Sequence, residues 1–275
     1  METKSSNNKP LISFFIIAFI LAWGLISVAI AKNYGWIDLE IPVEPFLIIG
    51  SWVPNIAAFL VLAIVLKRNG GITELLKGWL KFKVSAFWYI VTTFPLILAA
   101  MSIFIYKLLF GVAPVNDIMY DPVGLIALMI MITITGAMGE ELGWRGFALP
   151  RLQSRTSALR ASILLGLIWV LWHSPLWFAG IGFEEIPFLA YAIIGVSFTV
   201  LVTWACNNSR GSLLIASLFH LTLNVSVNII ENKALYILAF LFMALAVIVV
   251  LVYGYSKLSK ASELPIDKNT YEWTS

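Results

Sequence analysis

Five ionisable residues lie inside or next to long apolar runs, where side chains of this type are unusual. They are Glu140, Glu141, Arg145, His173 and His220, and the two histidines are the only ones in the chain. An ionisable side chain at membrane depth is costly and is therefore a candidate for function. Carboxylates together with imidazoles suit acid–base chemistry, in which a side chain takes a proton from an attacking water.

The first group lies in the segment Gly139-Glu140-Glu141-Leu142-Gly143-Trp144-Arg145. On a helix, neighbouring residues point about 100° apart, so the two carboxylates face different directions. Glu141 and Arg145 have the i,i+4 spacing that favours an ion pair. Glu140 is left without that partner and is the candidate general base. The alternative is that both acids mark the end of a helix at the membrane surface.

The other two groups are Trp169 to His173 and His220 to Asn224. His220 and Asn224 share one helix face at i,i+4, so two hydrogen-bond donors converge there as in an oxyanion hole. Each group alone is also compatible with polar contacts between membrane helices, which Asn228 would join. We assign no chemistry to the tryptophans around His173.

Convergence of these groups on one site is the simplest explanation, because the apolar runs contain few other polar partners. One difficulty is depth. The apolar run that precedes Glu140 ends at Met138, which puts Glu140 near a membrane exit, whereas His173 and His220 lie nearer mid-membrane. Convergence therefore requires the fourth helix to tilt or to sit deeper than its apolar run indicates.

The composition requires these elements to be membrane helices. The chain has 275 residues, of which 60% are hydrophobic and 12% charged, and its mean hydropathy is +0.92. A soluble domain has roughly 25% charged residues, so a soluble enzyme and a disordered chain are excluded. Cys206 is the only cysteine, which rules out an internal disulfide.

We predict an all-α polytopic membrane protein with eight transmembrane helices. A helix needs about 20 apolar residues to cross a bilayer. The eight stretches are Leu11–Ala31, Phe46–Leu66, Phe87–Phe110, Pro122–Met138, Ala161–Phe178, Pro187–Ala205, Ser212–Ile230 and Leu235–Tyr255.

The basic residues orient these helices. With both termini in the cytoplasm, all but Lys32, Lys107 and Lys233 of the 18 lysines and arginines fall on the cytoplasmic side, including Lys4 and Lys268. This asymmetry follows the positive-inside rule. The first stretch is longer than a signal-peptide core, so we expect it to be retained.

The connections contain no soluble domain, so residues 1–275 form a single membrane domain. The stretch Ile72–Phe82 is a candidate surface helix, either on the membrane or solvated. We expect the polar tail after Ser256 to be mobile.

The three motifs resemble those of the CPBP family of intramembrane proteases, also called the Abi family. CPBP stands for CAAX protease and bacteriocin-processing, and the family includes the Rce1-type CAAX prenyl endopeptidases. The family motifs are Glu-Glu-x-x-x-Arg, an aromatic residue three residues before His, and His-x-x-x-Asn. Here they are Glu140 to Arg145, Trp169 to His173 and His220 to Asn224, with Trp in place of the commoner Phe. The resemblance covers about residues 122–233, the expected catalytic core.

The resemblance implies a multi-pass protein of the cell membrane that cleaves peptide or protein substrates at the bilayer and has no nucleic-acid partner. Glu140 and His173 would activate water, and His220 and Asn224 would bind the oxyanion. Glu141 and Arg145 would support them. We expect no cofactor.

Three alternatives remain at this point. The first is a zinc protease with His173, His220 and Glu140 as ligands. The second is a transporter, although no repeat between the two halves of the chain supports it. The third is a non-catalytic membrane adaptor or bacteriocin-immunity protein.

Overall fold

The chain folds into helices joined by short connections. A computed structural model describes residues 8–38, 40–267, 270 and 272–273, and in these residues extended backbone pairs only at two isolated bridges. The α-helices are α1 Lys9–Asn33, α2 Glu44–Leu60, α3 Gly71–Lys77, α4 Ala86–Val91, α5 Phe94–Phe110, α6 Pro122–Ile132, α7 Met138–Glu141, α8 Leu149–Gln153, α9 Ala158–His173, α10 Phe188–Asn208, α11 Leu213–Ile229 and α12 Leu235–Tyr253. The predicted all-α class is confirmed.

Seven helical segments of the described chain are long and apolar enough to cross a membrane. They are Lys9–Asn33, Glu44–Val65, Ala86–Phe110, Pro122–Gln153, Ala158–Phe178, Phe188–Asn208 and Asn232–Tyr253. The other predicted span corresponds to α11, whose 17 residues make about 26 Å at 1.5 Å per residue. That is slightly less than the roughly 30 Å of a hydrocarbon core. The protein is a multi-pass membrane protein.

The fourth span differs from the prediction, because the helix does not end near Met138. It continues to Gln153 as one 32-residue segment, so Glu140 lies in its interior. Two π-helical stretches, Thr133–Ala137 and Leu142–Ala148, flank α7. The charged residues after Met138 had indicated a membrane exit, but they are buried and bound to other helices. Glu140 therefore does not mark the end of the helix, as the apolar run had indicated.

Helix α2 supports the fourth span directly beside the two glutamates. The buried Asn55 amide donates to the Met138 carbonyl (2.7 Å) and accepts from the Gly143 backbone N–H (3.0 Å). Gly143 must be glycine at this contact, because a Cβ there would lie 2.3 Å from the Pro54 carbonyl oxygen. Asn55 thus pairs backbone groups on both sides of α7 and fixes its position against α2.

The third span contains a break that hydropathy does not show. Helix α4 ends at Val91 and α5 begins at Phe94, with Pro95 in its first turn. Proline has no N–H and is tolerated at the start of a helix, so the break coincides with it. The Ile72–Phe82 stretch folds as α3 followed by a 3₁₀ turn over Gly78–Leu80.

The tail after Ser256 packs onto the helices, so the expectation of a mobile tail is wrong for its described part. Asn207 and Asn208 at the end of α10 donate to the backbone carbonyls of Lys257 (2.6 Å) and Leu258 (2.8 Å). Further on, the Trp273 indole donates to the Arg145 carbonyl (2.8 Å). Asn207 is buried and Asn208 is partly buried, and amides in such places need acceptors, which explains this docking. Lys4 and Lys268, used in the charge count, lie outside the described residues.

Candidate active site

The Glu140 carboxylate is buried and is held by two tryptophans. Its Oε2 accepts from the Trp169 indole N–H (2.7 Å) and from the Trp144 indole N–H (3.2 Å). Neither donor carries a charge, and in the described part of the chain no lysine or arginine forms an ion pair with Glu140. Its second oxygen, Oε1, is directed toward His173.

His173 ends α9 and faces Glu140 across a short gap. Its Nδ1 lies 2.8 Å from the Trp169 carbonyl oxygen. A carbonyl only accepts, so Nδ1 carries a proton, and Nε2 of the neutral ring bears a lone pair. Nε2 lies 3.8 Å from Glu140 Oε1, too far for a direct hydrogen bond. Two proton-accepting atoms therefore face each other.

Glu141 lies beside Glu140 but has different partners. Its Oε1 accepts from Arg145 Nη1 (2.8 Å) and lies 2.7 Å from His220 Nδ1. The predicted Glu141–Arg145 pair is thus present, and both side chains are fully buried. The contact with His220 was not predicted. It joins the first motif to the third across the interface between α7 and α11.

Apart from its pair with Glu141, the Arg145 guanidinium mainly contacts aromatic side chains. Its guanidinium carbon lies 5.1 Å from the Phe198 ring centre and 5.7 Å from that of Trp169. Cations are attracted to aromatic faces at this range, which offsets part of the cost of burial. Within the described residues, Arg145 Nε and Glu141 Oε2 have no hydrogen-bond partner.

His220 and Asn224 converge next to Gly136. A Cβ on Gly136 would lie 2.4 Å from Asn224 Nδ2 and 3.5 Å from His220 Nε2. Gly136 belongs to the π-helical stretch Thr133–Ala137, and π-turns are frequent at functional sites. Asn228 does not join this group, since its amide donates to the Asn224 backbone carbonyl on the same helix (2.9 Å).

The structure thus brings together Glu140 with His173 and His220 with Asn224, and Glu141 links Arg145 to His220. His220 and Asn224 lie on the same helix, α11, whereas Glu140 comes from α7 and His173 from α9. Sequence reasoning missed three contributors: Asn55, Trp144 and the indole of Trp169. Trp144 is four residues after Glu140 and Trp169 four residues before His173, so helical spacing was an available signal.

The zinc alternative concerns the same side chains. His220 Nδ1 binds Glu141 and Glu140 Oε2 accepts from two indoles, which leaves His220 Nε2, His173 Nε2 and Glu140 Oε1 for any metal ion. A histidine that binds a carboxylate through one ring nitrogen can ligate zinc through the other. Across the described ranges, no three histidine, cysteine, aspartate or glutamate side chains group as metal ligands. A catalytic zinc requires three protein ligands, and the zinc alternative stays a prediction that a chelation experiment tests.

Comparison with known proteins agrees with the motifs. Residues 122–226 match the family described as type II CAAX prenyl endopeptidase Rce1-like. A curated relative, CAAX prenyl protease 2 of the archaeon Methanococcus maripaludis, is 34% identical over 127 residues, which cover 40% of this chain. The match covers 47% of the relative, so the chain spans about half the length of that protein. The motifs, the family match and this relative agree on the central segment of the chain, which is similar to the Rce1-like family over residues 122–226.

Proposed function

We propose that the protein is an intramembrane endopeptidase that hydrolyses peptide bonds of membrane-associated substrates. In this proposal Glu140 and His173 activate water, and His220 and Asn224 stabilise the oxyanion. The observation that carries it is the 3.8 Å separation of Glu140 Oε1 from His173 Nε2. Both atoms accept hydrogen bonds, so a molecule that donates two of them fits between the two side chains, and water is that molecule.

The hydrogen bonds that Glu140 and His173 already make determine which of their atoms can bind the water. Glu140 Oε2 accepts from the two indoles and His173 Nδ1 binds the Trp169 carbonyl, so Oε1 and Nε2 are directed to the water. The water oxygen attacks the scissile carbonyl carbon while Glu140 takes one of its protons. When the tetrahedral intermediate collapses, that proton passes to the leaving amine nitrogen. Such proton transfer typically contributes about 10²–10⁴-fold to the rate.

His220 must be doubly protonated to act as an oxyanion donor. Its Nδ1 proton is donated to Glu141, so only the imidazolium has a second N–H, at Nε2. In that state His220 and Glu141 form an ion pair. The Trp169 and Phe198 rings also lie beside His220, with centroid separations of 5.7 and 5.5 Å. Asn224 contributes a neutral donor on the same helix face.

Glu141 and Arg145 act in this scheme as supporting residues. With Glu140 and Glu141 ionised, and with Arg145 and His220 cationic, the four side chains sum to zero charge. A neutral set of close charges costs less to bury than an unbalanced one. The mechanism proposed here uses no cofactor.

The substrate and the topology belong to the same proposal. The relative's name describes a CAAX prenyl protease, and we propose a substrate of that class for this chain, cleaved at the cell membrane.

We also propose that α11 crosses the bilayer as the eighth helix, with both termini in the cytoplasm. The helix is short but apolar, and its neighbours on either side are spans.

The test is the Glu140→Gln variant in purified full-length protein, assayed against a panel of CAAX-type and other peptides. Glutamine accepts both indole hydrogen bonds but cannot take a proton, so we expect cleavage to be abolished and the melting temperature to be retained. Glu44→Gln, at an exposed glutamate at the start of α2, is the matched control and should cleave normally. Cleavage by Glu140→Gln at the wild-type rate would refute the proposal.

A further inference from the structure

A concave site whose lining does not include Glu140 or Glu141 lies at the connection between two membrane spans. The connection after α3 meets the turn between α10 and α11 and encloses a cavity of about 350 Å³. Its six lining residues include three cations and no acid: Leu80, Lys81, Phe82, Lys83, Val84 and Arg210. A concentration of one charge sign in a concave site favours a ligand of the opposite sign.

Hydrogen bonds from side chains to backbone carbonyls hold the segments that line this cavity. Lys81 Nζ donates to the Arg210 carbonyl (3.2 Å), and the Ser212 hydroxyl donates to the Lys81 carbonyl (2.7 Å). The Tyr89 hydroxyl donates to the Phe82 carbonyl (2.7 Å), which ties the connection to α4. Arg210 has a left-handed backbone, with φ +57°. The basic side chains are therefore presented by segments that are fixed to two different helices.

Apolar side chains lie exposed beside the cations. Leu80 is 69% exposed and Phe82 is 56% exposed. The connection lies between two membrane spans, and the next span begins at Ala86. An exposed leucine and phenylalanine next to a membrane span are typical of segments that lie at the membrane interface.

Lys81 adds an energetic reason for an anionic ligand. Burial lowers the pKa of its ammonium group from the usual value, although Glu74 acts in the opposite direction. A desolvated cation gains from an anion bound nearby, because the anion offsets the lost hydration.

We infer that this cavity binds the phosphate headgroup of an anionic phospholipid. Lys81, Lys83 and Arg210 contact the phosphate, and Leu80 and Phe82 contact the first methylenes of the acyl chains. Basic residues near a membrane contribute to anionic-lipid binding individually, and here three of them share one cavity. The combination of cations with exposed apolar side chains favours a lipid over a soluble phosphate.

Native mass spectrometry of the full-length protein in detergent tests this inference. The protein is titrated with phosphatidylglycerol or with phosphatidylcholine of the same acyl chains. We expect tighter binding of phosphatidylglycerol, weakened about 10–100-fold in Lys81→Gln/Lys83→Gln/Arg210→Gln. The control Arg155→Gln/Arg160→Gln/Lys260→Gln removes the same charge from the same membrane side, outside the cavity, and should change binding less than about threefold. Equal losses in both triple variants, or equal binding of the two lipids, would overturn the inference.

Two further measurements separate a lipid from a soluble phosphate and guard against misfolding. Glycerol phosphate should not displace phosphatidylglycerol, and Phe82→Ser should weaken lipid binding; displacement by glycerol phosphate would overturn the lipid assignment. The exposed Lys83 offers a single variant, Lys83→Gln, for the case in which the triple variant does not fold. It should still weaken phosphatidylglycerol binding by a few fold, and unchanged binding would count against the site.

Discussion

Substitution of Gly136 by alanine should remove one oxyanion donor without unfolding the protein. The added Cβ would lie 2.4 Å from Asn224 Nδ2, whereas ordinary contacts need roughly 3.5 Å. The carboxamide must therefore retreat by about 1 Å, and a misplacement of that size can cost about 10²-fold in rate. Loss of an oxyanion donor typically costs about 10²–10³-fold. We expect kcat/KM to fall by about 10²-fold or more.

We expect Gly136→Ala to leave the melting temperature unchanged or to raise it slightly. Alanine is favoured over glycine in a helix interior by about 1 kcal/mol, which offsets the strain at Asn224. The matched control is Gly24→Ala in α1, where a Cβ meets no atom within 4 Å. That variant should retain full activity and melt at the same temperature or higher.

A double-mutant cycle determines whether Gly136 acts through Asn224. If the alanine acts only by displacing the carboxamide, Gly136→Ala/Asn224→Ala should be no slower than Asn224→Ala. Peptide cleavage by the four proteins, with a melting curve for each, completes the cycle. Full activity in Gly136→Ala would refute the placement of Asn224 beside the reacting carbonyl, and losses that multiply in the double variant would refute the claim that the alanine acts through Asn224.

Four further predictions concern the charged groups and the topology. Arg145→Ala leaves the buried set of Glu140, Glu141 and His220 with an uncompensated charge and should destabilise the protein by about 3–5 kcal/mol, measured by thermal unfolding; an inactive variant of wild-type stability would instead give Arg145 a direct role. Asn224→Asp should cleave more slowly than Asn224→Ala in a peptide assay, because a carboxylate repels the oxyanion, and the reverse order would contradict the oxyanion role. Chelation should leave the cleavage rate unchanged, whereas inactivation reversed by zinc would support the metalloprotease alternative. Reporter fusions after Lys83 and after Arg155 should both report cytoplasm, and an external signal from either would break the eight-helix topology.

The sequence predicts the helical class, seven of the spans and the grouping of the motifs, for one physical reason. In an apolar environment polar side chains have few partners other than one another, so their convergence follows from scarcity. The i,i+4 spacing then identifies which members pair on the same helix, and the Glu141–Arg145 contact confirms this. The link from Glu141 to His220 joins different helices, so no local spacing indicates it.

The course of the fourth span could not be predicted in the same way. Hydropathy treats Glu140, Glu141 and Arg145 as charges that need water, and it therefore ends the helix before them. In the folded protein Arg145 neutralises Glu141, and indole donors satisfy Glu140, so the helix continues through the bundle. Asn55 of another helix binds the backbone of this span at Met138 and Gly143, and a residue pattern within the span does not contain that information.

Two adjacent glutamates acquire different chemical properties because their donors differ. Glu141 lies against Arg145 and His220 through one oxygen, so its carboxylate is used to hold the arginine and to orient the imidazole. Glu140 accepts only neutral indole hydrogen bonds, on Oε2, and its Oε1 faces the lone pair of His173. A carboxylate that forms no ion pair with a lysine or arginine is able to accept a proton during a reaction, whereas one paired with an arginine serves to position its partners. The helix geometry that directs consecutive side chains about 100° apart is what assigns the indole donors to one glutamate and the arginine and the imidazole to the other.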